Sequence, residues 1–344
     1  MRLSAYFTTR NCVEMDYPFE ASIKSCFDAF DEIVVCDTGD GLDNTLNILQ
    51  NLKKEFELNP KKQLKIIRGT ANWSAPNSGI YDGLMKGEAR SACTGDYLWQ
   101  QDVDEILEEN AKEKIESLIR RLDSDNPLIS STIIEYWGSS GKVRCDVNPW
   151  KWRLSKNLPH ITHGIPTHLR KTINGMLYAN PGTDGCDYID KNTGQIIPCI
   201  HFVKPEIEQL RQRAVHDSDA TKLYEDWFNK ITDRLPTVYH FSWWSVYSKI
   251  LKYRQFWNNS WQSLYNETRP PGYNPFFHKS LEEVSDEEMR QMANRLEDEC
   301  GGYIFHNPVS DPIPKTNHVT INKPVPELAK EWCGNHMLDG SLPE

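Results

Sequence analysis

The N-terminal third of the chain alternates short unbroken apolar runs with stretches of helical spacing. Residues 3–8 form a continuous, mostly apolar run, the pattern of a strand buried on both faces. Pro18 then stands where a helix prefers its first residue, and Ile23, Cys26, Phe27 and Phe30 follow at helical spacing. Ile33-Val34-Val35-Cys36 is a second buried run, and Asp43-Asn44-Thr45 opens a helix that reaches Phe56. After the Asn59-Pro60 turn a third strand spans residues 63–68, residues 69–81 read as a loop, and a helix over about 82–92 feeds a fourth strand ending at Asp102. Strand, helix and strand within about thirty residues make a βαβ unit, which predicts a parallel sheet with right-handed crossovers. The strand ends then share one edge, where open α/β sheets bind ligands.

Further along, the pattern predicts a helix over 112–121, a strand over 128–136, and a section from Lys151 to Asp187 dense in His and Gly. From Trp243 a long amphipathic helix is expected, with Trp243, Tyr247, Ile250, Trp257, Trp261 and Leu264 along one face. Residues 219–273 hold 14 of the chain's 37 aromatic residues. Sugar rings stack on aromatic faces, so such a stripe suits an acceptor platform, but a face this regular also reads as core. Ser285-Asp286-Glu287-Glu288 is a capping-box start for a last helix ended by Gly301 and Gly302, and residues 307–326 read as an extended arm.

The fourth strand ends in acids: Gln100-Gln101-Asp102-Val103-Asp104-Glu105. Asp-x-Asp also occurs at Asp123/Asp125, in turn composition, and at Asp217/Asp219, in a polar stretch. Only the first ends an apolar strand. If Asp102 and Asp104 are both extended, their side chains fall on one side about 6–7 Å apart. Carboxylates so held repel by about 2–3 kcal/mol at an effective dielectric near 20, unless a cation sits between them or one takes a proton. Oxygen ligands suit Mg²⁺ or Mn²⁺, the former commonly held by one or two carboxylates plus substrate phosphates.

Composition narrows the partners. The net charge is −10, and residues 281–300 carry eight acids against two bases. No basic stripe is present to neutralise phosphates along a strand, which excludes nucleic acid as the expected partner. The first residues are too polar for a signal peptide and no run is long and apolar enough to span a membrane, so a cytoplasmic protein without a transmembrane segment is expected. Nine cysteines without a Cys-x-x-Cys pair point away from a disulfide framework and a structural zinc site.

Taken together, the first strand into Thr9-Arg10-Asn11, the second into Asp37-Thr38-Gly39-Asp40, the helix carrying Glu88-Ala89-Arg90, the strand Gly95-Asp96-Tyr97-Leu98, and Asp102-Val103-Asp104-Glu105 resemble glycosyltransferase family 2. The resemblance covers roughly residues 1–110, and 150–255 more loosely. It implies a GT-A (Rossmann-like) α/β fold, a mostly parallel sheet flanked by helices over 1–240, with a helical, aromatic-rich C-terminal extension over 241–344. It also implies a nucleotide-sugar donor, a glycan, lipid-linked or protein acceptor, and Mn²⁺ or Mg²⁺. On that basis Thr8, Thr9, Arg10, Asn11 and Asp37 hold the nucleoside, Arg90 lies near the donor, and Asp102 and Asp104 bind ribose or metal and the diphosphate. His240 is the candidate to complete the metal site.

An inverting transfer also needs a base to take the acceptor proton. The stretch Gly164-Ile165-Pro166-Thr167-His168 resembles the family's Gly-x-x-His-Glu, with Thr167 in place of His and His168 in place of Glu. The usual carboxylate is therefore absent, and His168, Asp184 and Asp187 are the candidate bases. A sugar-phosphate nucleotidyltransferase shares this kind of sheet but normally has a Gly-rich loop after the first strand, which Thr8-Thr9-Arg10-Asn11 lacks. A non-catalytic carbohydrate-binding protein of the same fold is the remaining alternative.

Overall fold

The computed structural model describes residues 1–71, 78–138, 141–173, 176–179, 185–252, 273–274, 279–280, 283–299 and 316–336. By its internal contacts the chain divides into two compact units, residues 1–131 with 151–201 and residues 132–150 with 202–344.

The first unit opens with the alternation that the apolar pattern predicts: β1 (Leu3–Thr9), α1 (Phe19–Ser25), β2 (Glu32–Asp37), α2 (Thr45–Phe56), β3 (Gln63–Arg68), α3 (Ser78–Ser91) and β4 (Tyr97–Gln100). Strands β3, β2, β1 and β4 lie side by side in that order and all three pairings are parallel. β2 is buried along its whole length and β1 nearly so, as continuous apolar runs require of central parallel strands. α3 covers the sheet by packing Met85 and Ala89, with Cys93 just past its end, against Tyr6, Val34, Cys36 and Leu98. It starts four residues earlier than the sequence indicates, because the Ser-Gly composition of its first turn reads as loop while tertiary packing decides the conformation.

After β4 come a turn, β5 (Glu105–Leu107), α4 (Ala111–Ile119) and β6 (Leu128–Glu135), whose first residues belong to this unit. β7 (Lys142–Arg144) belongs to the second unit, and β8 (Trp150–Lys156) returns antiparallel to β4, pairing Leu154 with Trp99. β9 (Ile161–Gly164), the hairpin of β10 (Arg170–Ile173) and β11 (Met176–Ala179), β12 (Asp187–Asp190) and β13 (Cys199–Ile200) complete the unit. β12 runs antiparallel to β9 with Asp187 opposite Gly164, and β13 lies parallel to the start of β6. The architecture is α/β, with a mostly parallel sheet flanked by helices, as expected.

The second unit holds α5 (Pro205–Ala214), α6 (Ser218–Arg234), β14 (Thr237–His240), α7 (Val246–Lys252), the β15 (Tyr273–Asn274) and β16 (Lys279–Ser280) pair, α8 (Asp286–Glu299), β17 (His318–Thr320) and α9 (Lys330–Asn335). β14 pairs parallel with the second half of β6, and β17 pairs antiparallel with β7. The third Asp-x-Asp is a helix start: the Asp217 carboxylate accepts from the amides of Asp219 and Ala220 and caps α6. The second is a turn, with Asp123 accepting from the amides of Asp125 and Asn126. The capping box also forms, since Glu288 N donates to Ser285 Oγ (3.3 Å) and Ser285 N to Glu288 Oε2 (2.9 Å).

The helix expected from Trp243 begins at Val246, and residues 257, 261 and 264 lie outside the described residues, as do Gly301 and Gly302. Trp243 and Ile250 are core, packed with Trp137, Val246, Val284, Met289 and Leu296. Trp137 and Trp243 pack as a tilted pair with centroids 4.9 Å apart, Arg144 lies over the first ring and Lys249 over the second. These rings are buried and offer no platform to a sugar.

Candidate functional site

Parallel register brings the ends of β1, β2 and β3 level, with Thr9 beside Asp37 and Asp37 beside Arg68. The Asp37 carboxylate, 1% exposed, accepts from Thr9 Oγ1 (2.9 Å) and Gly39 N (3.3 Å) and pairs with Arg68. Thr38 Oγ1 donates back to Thr9 O at 2.9 Å. Beyond β1 the chain reverses at Asn11, whose φ of 41° is a left-handed value that Asn tolerates. Its amide reaches Asp40 Oδ2 (3.0 Å), and its Oδ1 accepts from Asp40 N (3.1 Å). Thr9, Asn11 and Asp37 are thus brought to one edge of the sheet, with Thr8 and Arg10 half-buried beside them in the chain.

The acids after β4 are not extended. Glu105 N donates to Asp102 O (3.2 Å), so Asp102-Val103-Asp104-Glu105 is a β-turn, and the parallel carboxylates drawn from strand geometry do not form. The turn is held from several elements. Ser22 Oγ on α1 donates to Asp102 O (3.0 Å), Asp102 N donates to Glu105 Oε2 (2.8 Å), and Gln100 Nε2 donates to Asp102 Oδ1 (2.8 Å). Asp104, at the third position of the turn, is half-buried.

Asp102 is compensated by the protein itself. Lys86 Nζ from α3 lies 2.9 Å from Oδ1 and Lys151 Nζ from β8 lies 3.6 Å from Oδ2. Lys151 also meets Glu105 Oε1 at 2.9 Å, and Glu105, fully buried, pairs with the fully buried Arg153. Arg153 donates further to Gln100 Oε1 (2.6 Å) and Gln100 O (3.1 Å). On the other side Lys86 meets Asp82 Oδ2 at 3.2 Å. The charges therefore alternate from Arg153 through Glu105, Lys151, Asp102 and Lys86 to Asp82. Burial pushes the Asp102 carboxyl up, but Lys86, Lys151 and Arg153 together outweigh it and hold the group well below the usual carboxylate range.

Lys86 and the cations of β8 are absent from the motif reading. Lys86 with Asp82 reads in sequence as a solvated i,i+4 pair, yet Lys86 is only 5% exposed. The signal that was available is the glycine pair on the same helix. A Cβ at Gly83 would sit 2.2 Å from Gly185 O, and one at Gly87 would sit 2.7 Å from Thr162 Oγ1. Two glycines four apart thus let α3 approach β9 and the start of β12 closely, which buries Lys86 between them.

Arg90, expected near the donor, is built into the scaffold. Its Nε donates to Ile161 O (3.1 Å), one terminal nitrogen to Ser155 Oγ (2.7 Å) and the other to Lys156 O (2.8 Å), stitching α3 to β8 and β9. Behind the site lies a buried polar chain. His163 Nδ1 is 2.9 Å from Cys186 O, a group that only accepts, so the proton is on Nδ1 and Nε2 accepts from Tyr6 Oη at 2.5 Å. Burial, with Arg90 and Lys86 nearby, pushes the His163 pKa down to about 3 despite the bond to Cys186, and the ring stays neutral.

Of the candidate bases, Asp184 lies outside the described residues. His168 is exposed, in the turn that follows β9, and Asp187 is half-buried at the first position of β12. The antiparallel ladder places Gly164 opposite Asp187, so the segment leading to His168 leaves from the end of the ladder at which Asp187 enters. His240 lies in the second unit on β14, where its Nδ1 is 2.8 Å from Glu135 Oε2, a carboxylate that fixes the ring tautomer. Among the described residues no three His, Cys, Asp or Glu side chains gather as a metal cage. No described helix is long and apolar enough to cross a membrane.

Residues 16–170, just under half of the chain, match the family described as glycosyl transferase family 2. The chain is similar to residues 1–349 of TarS from S. aureus in complex with UDP, at 17% identity and a TM-score of 0.33, over 75% of this chain and 79% of that one. It is also similar to the mannosyltransferase PcManGT from Pyrobaculum calidifontis in complex with GDP-Man and Mn²⁺, at 13% identity and a TM-score of 0.38, over 86% and 71% of the two chains. No curated protein matches the chain. The family match bears out the expectation of a glycosyl-transfer enzyme.

Proposed function

From the glycosyl transferase family 2 match, we propose that this protein moves a sugar, with inversion, from a nucleoside-diphosphate donor to an acceptor hydroxyl, with the help of Mn²⁺ or Mg²⁺. The observation that carries the reading is the convergence on one sheet edge of Thr9, Asn11 and Asp37 at the ends of β1 and β2, with Asp37 inside the matched segment. The acid turn follows the end of β4, the next parallel strand.

The donor set fits an ion held through Asp104 and the donor's phosphates rather than one bridging two carboxylates. Both Asp102 oxygens already face ammonium groups, whereas one carboxylate with phosphate oxygens is an ordinary way to hold Mg²⁺. When bound, such an ion neutralises charge growing on the leaving diphosphate. The chain's own residues do the rest. Thr9, Asn11 and Asp37 seat the nucleoside, with Thr8 and Arg10 beside them. Asp102, fixed by Gln100, Lys86 and Lys151, faces the ribose and sets the turn that presents Asp104. The acceptor proton goes to a base at the end of the β9/β12 ladder, His168 or Asp187, with Asp184 next in the chain. Arg90 keeps the ladder against α3.

A melting-temperature screen with UDP, GDP and dTDP in Mn²⁺ tests the reading. One nucleotide is expected to raise the melting temperature by several degrees, and Asp104→Asn to remove the shift. Lack of a shift with all three would overturn it.

A further inference from the structure

Lys86 does more than compensate one acid. Its ammonium has three protons to give, and three acceptors surround it: Asp102 Oδ1 at 2.9 Å, Cys186 Sγ at 3.0 Å and Asp82 Oδ2 at 3.2 Å. Cys186 Sγ in turn donates to Asp82 Oδ2 at 2.9 Å, which closes a triangle of Lys86, Cys186 and Asp82. The first contact reaches the acid turn after β4. The second reaches the residue immediately before β12, next to Asp187, where β12 pairs with β9, the strand that the turn bearing His168 follows. Asp82 anchors the group to its own helix, α3. At 5% exposure this is a buried joint and not a surface ion pair, and the close approach that makes it possible depends on Gly83 and Gly87.

We propose that Lys86 is a positioning residue that couples the donor-binding acid turn to the base-bearing end of β12. The inference rests on the glycosyl-transfer reading for its functional consequence, but the coupling itself is a property of the fold. Lys86 touches neither sugar nor phosphate in this assignment. It acts through Asp102 on one side and Cys186 on the other, so a group bound at the acid turn is felt at Cys186. The effect on turnover is expected in kcat, which depends on the mutual placement of donor and base, more than in the KM for the acceptor.

The decisive experiment labels Cys186 with iodoacetamide, read by peptide mass spectrometry on the full chain. Calorimetry on the same samples reports whether a nucleoside diphosphate with Mn²⁺ binds. In the wild type, bound nucleotide is expected to slow labelling of Cys186 severalfold, and in Lys86→Met that protection is expected to vanish. Cys186→Ala is the milder variant. It leaves the Lys86–Asp102 pair in place and is expected to lower kcat about tenfold, with the acceptor KM within twofold of wild type. Protection of equal size in Lys86→Met, or none in the wild type while calorimetry shows binding, would overturn the coupling.

If calorimetry shows no nucleotide binding to the wild type, the glycosyl-transfer reading fails instead. The joint is then read without ligand, from the denaturation midpoints of Lys86→Met, Asp102→Asn and the double variant. Non-additive midpoints support it and additive ones overturn it.

Discussion

Asp37 and Asp102 stand at or just past the ends of two parallel strands that flank β1, and both are met by cations, but the cations differ in origin and depth. Asp37 takes its partners from the neighbouring strand ends, Thr9 on β1 and Arg68 on β3, and the Arg68 side chain is 49% exposed. Asp102 takes its partners from α3 and β8, and behind them lies the wholly buried Arg153–Glu105 pair. The first arrangement is local to the sheet edge. The second is a charge ladder whose members are brought together only by packing a helix and an antiparallel strand. The difference predicts unequal costs when the cations are removed.

The largest effect belongs to Arg153→Met. It leaves Glu105, 0% exposed, without its buried partner, and breaking a buried ion pair from one side costs about 3–5 kcal/mol. Denaturant unfolding of the full chain measures it. A loss below about 1 kcal/mol would put the acid turn on the same footing as the tip at Asp37 and break the comparison.

The next effect is a pH dependence that marks how deep the polar interior behind the acid turn runs. His163 has a folded pKa of about 3, against about 6.5 in an unfolded chain. As pH falls below about 6.5 the unfolded state takes up a proton that the folded state refuses, so stability falls with pH until about 3. The slope for one such group is about 1.4 kcal/mol per pH unit, roughly 2 kcal/mol lost between pH 6.5 and pH 5. His318, in the second unit, is pushed down to about 4 by burial and adds a slope of its own. Substituting His163→Gln is expected to remove one proton's worth of slope and leave that of His318. An unchanged slope between pH 6.5 and 5 would mean that the His163 site opens to water.

The same contrast explains what was legible in the sequence. Continuous apolar runs gave the order of strands and helices through β4, because a strand buried on both faces has few ways to look. The partners of Asp37 follow from that order, since parallel register alone sets Thr9 and Arg68 beside it. Asp102 and Asp104 were visible as acids, but their conformation was not. The strand stops at Gln100, and the bond from Glu105 N to Asp102 O makes a turn of what the alternation drew as extended. Lys86 was hidden because periodicity cannot tell a solvated i,i+4 pair from one buried under a neighbouring strand. Arg90 was visible as a cation ahead of the acid strand, but its burial was not, for a guanidinium that serves three oxygens of its own scaffold looks in sequence like an exposed one. In the second unit the aromatic stripe read either way, and among its described residues Trp243 and Ile250 are core.

The smallest effects come from the two half-exposed cations, and they sharpen the comparison because the two acids keep different reserves. After Lys151→Met, Asp102 still has Lys86 and Gln100, and Glu105 still has Arg153. After Arg68→Met, Asp37 keeps Thr9 Oγ1 and Gly39 N but has lost the cation that pairs with it. Solvent screens both cations, 38% and 49% exposed as side chains, so the expected losses are about 0.5 kcal/mol for Lys151→Met and about 1 kcal/mol for Arg68→Met. The order matters more than the size. Under chemical denaturation Arg68→Met should unfold first, because a ladder with two more cations tolerates the loss of one better than a tip that relies on Arg68. If Lys151→Met proves the more costly, the ladder's charges act as one cooperative unit and not as redundant partners of Asp102.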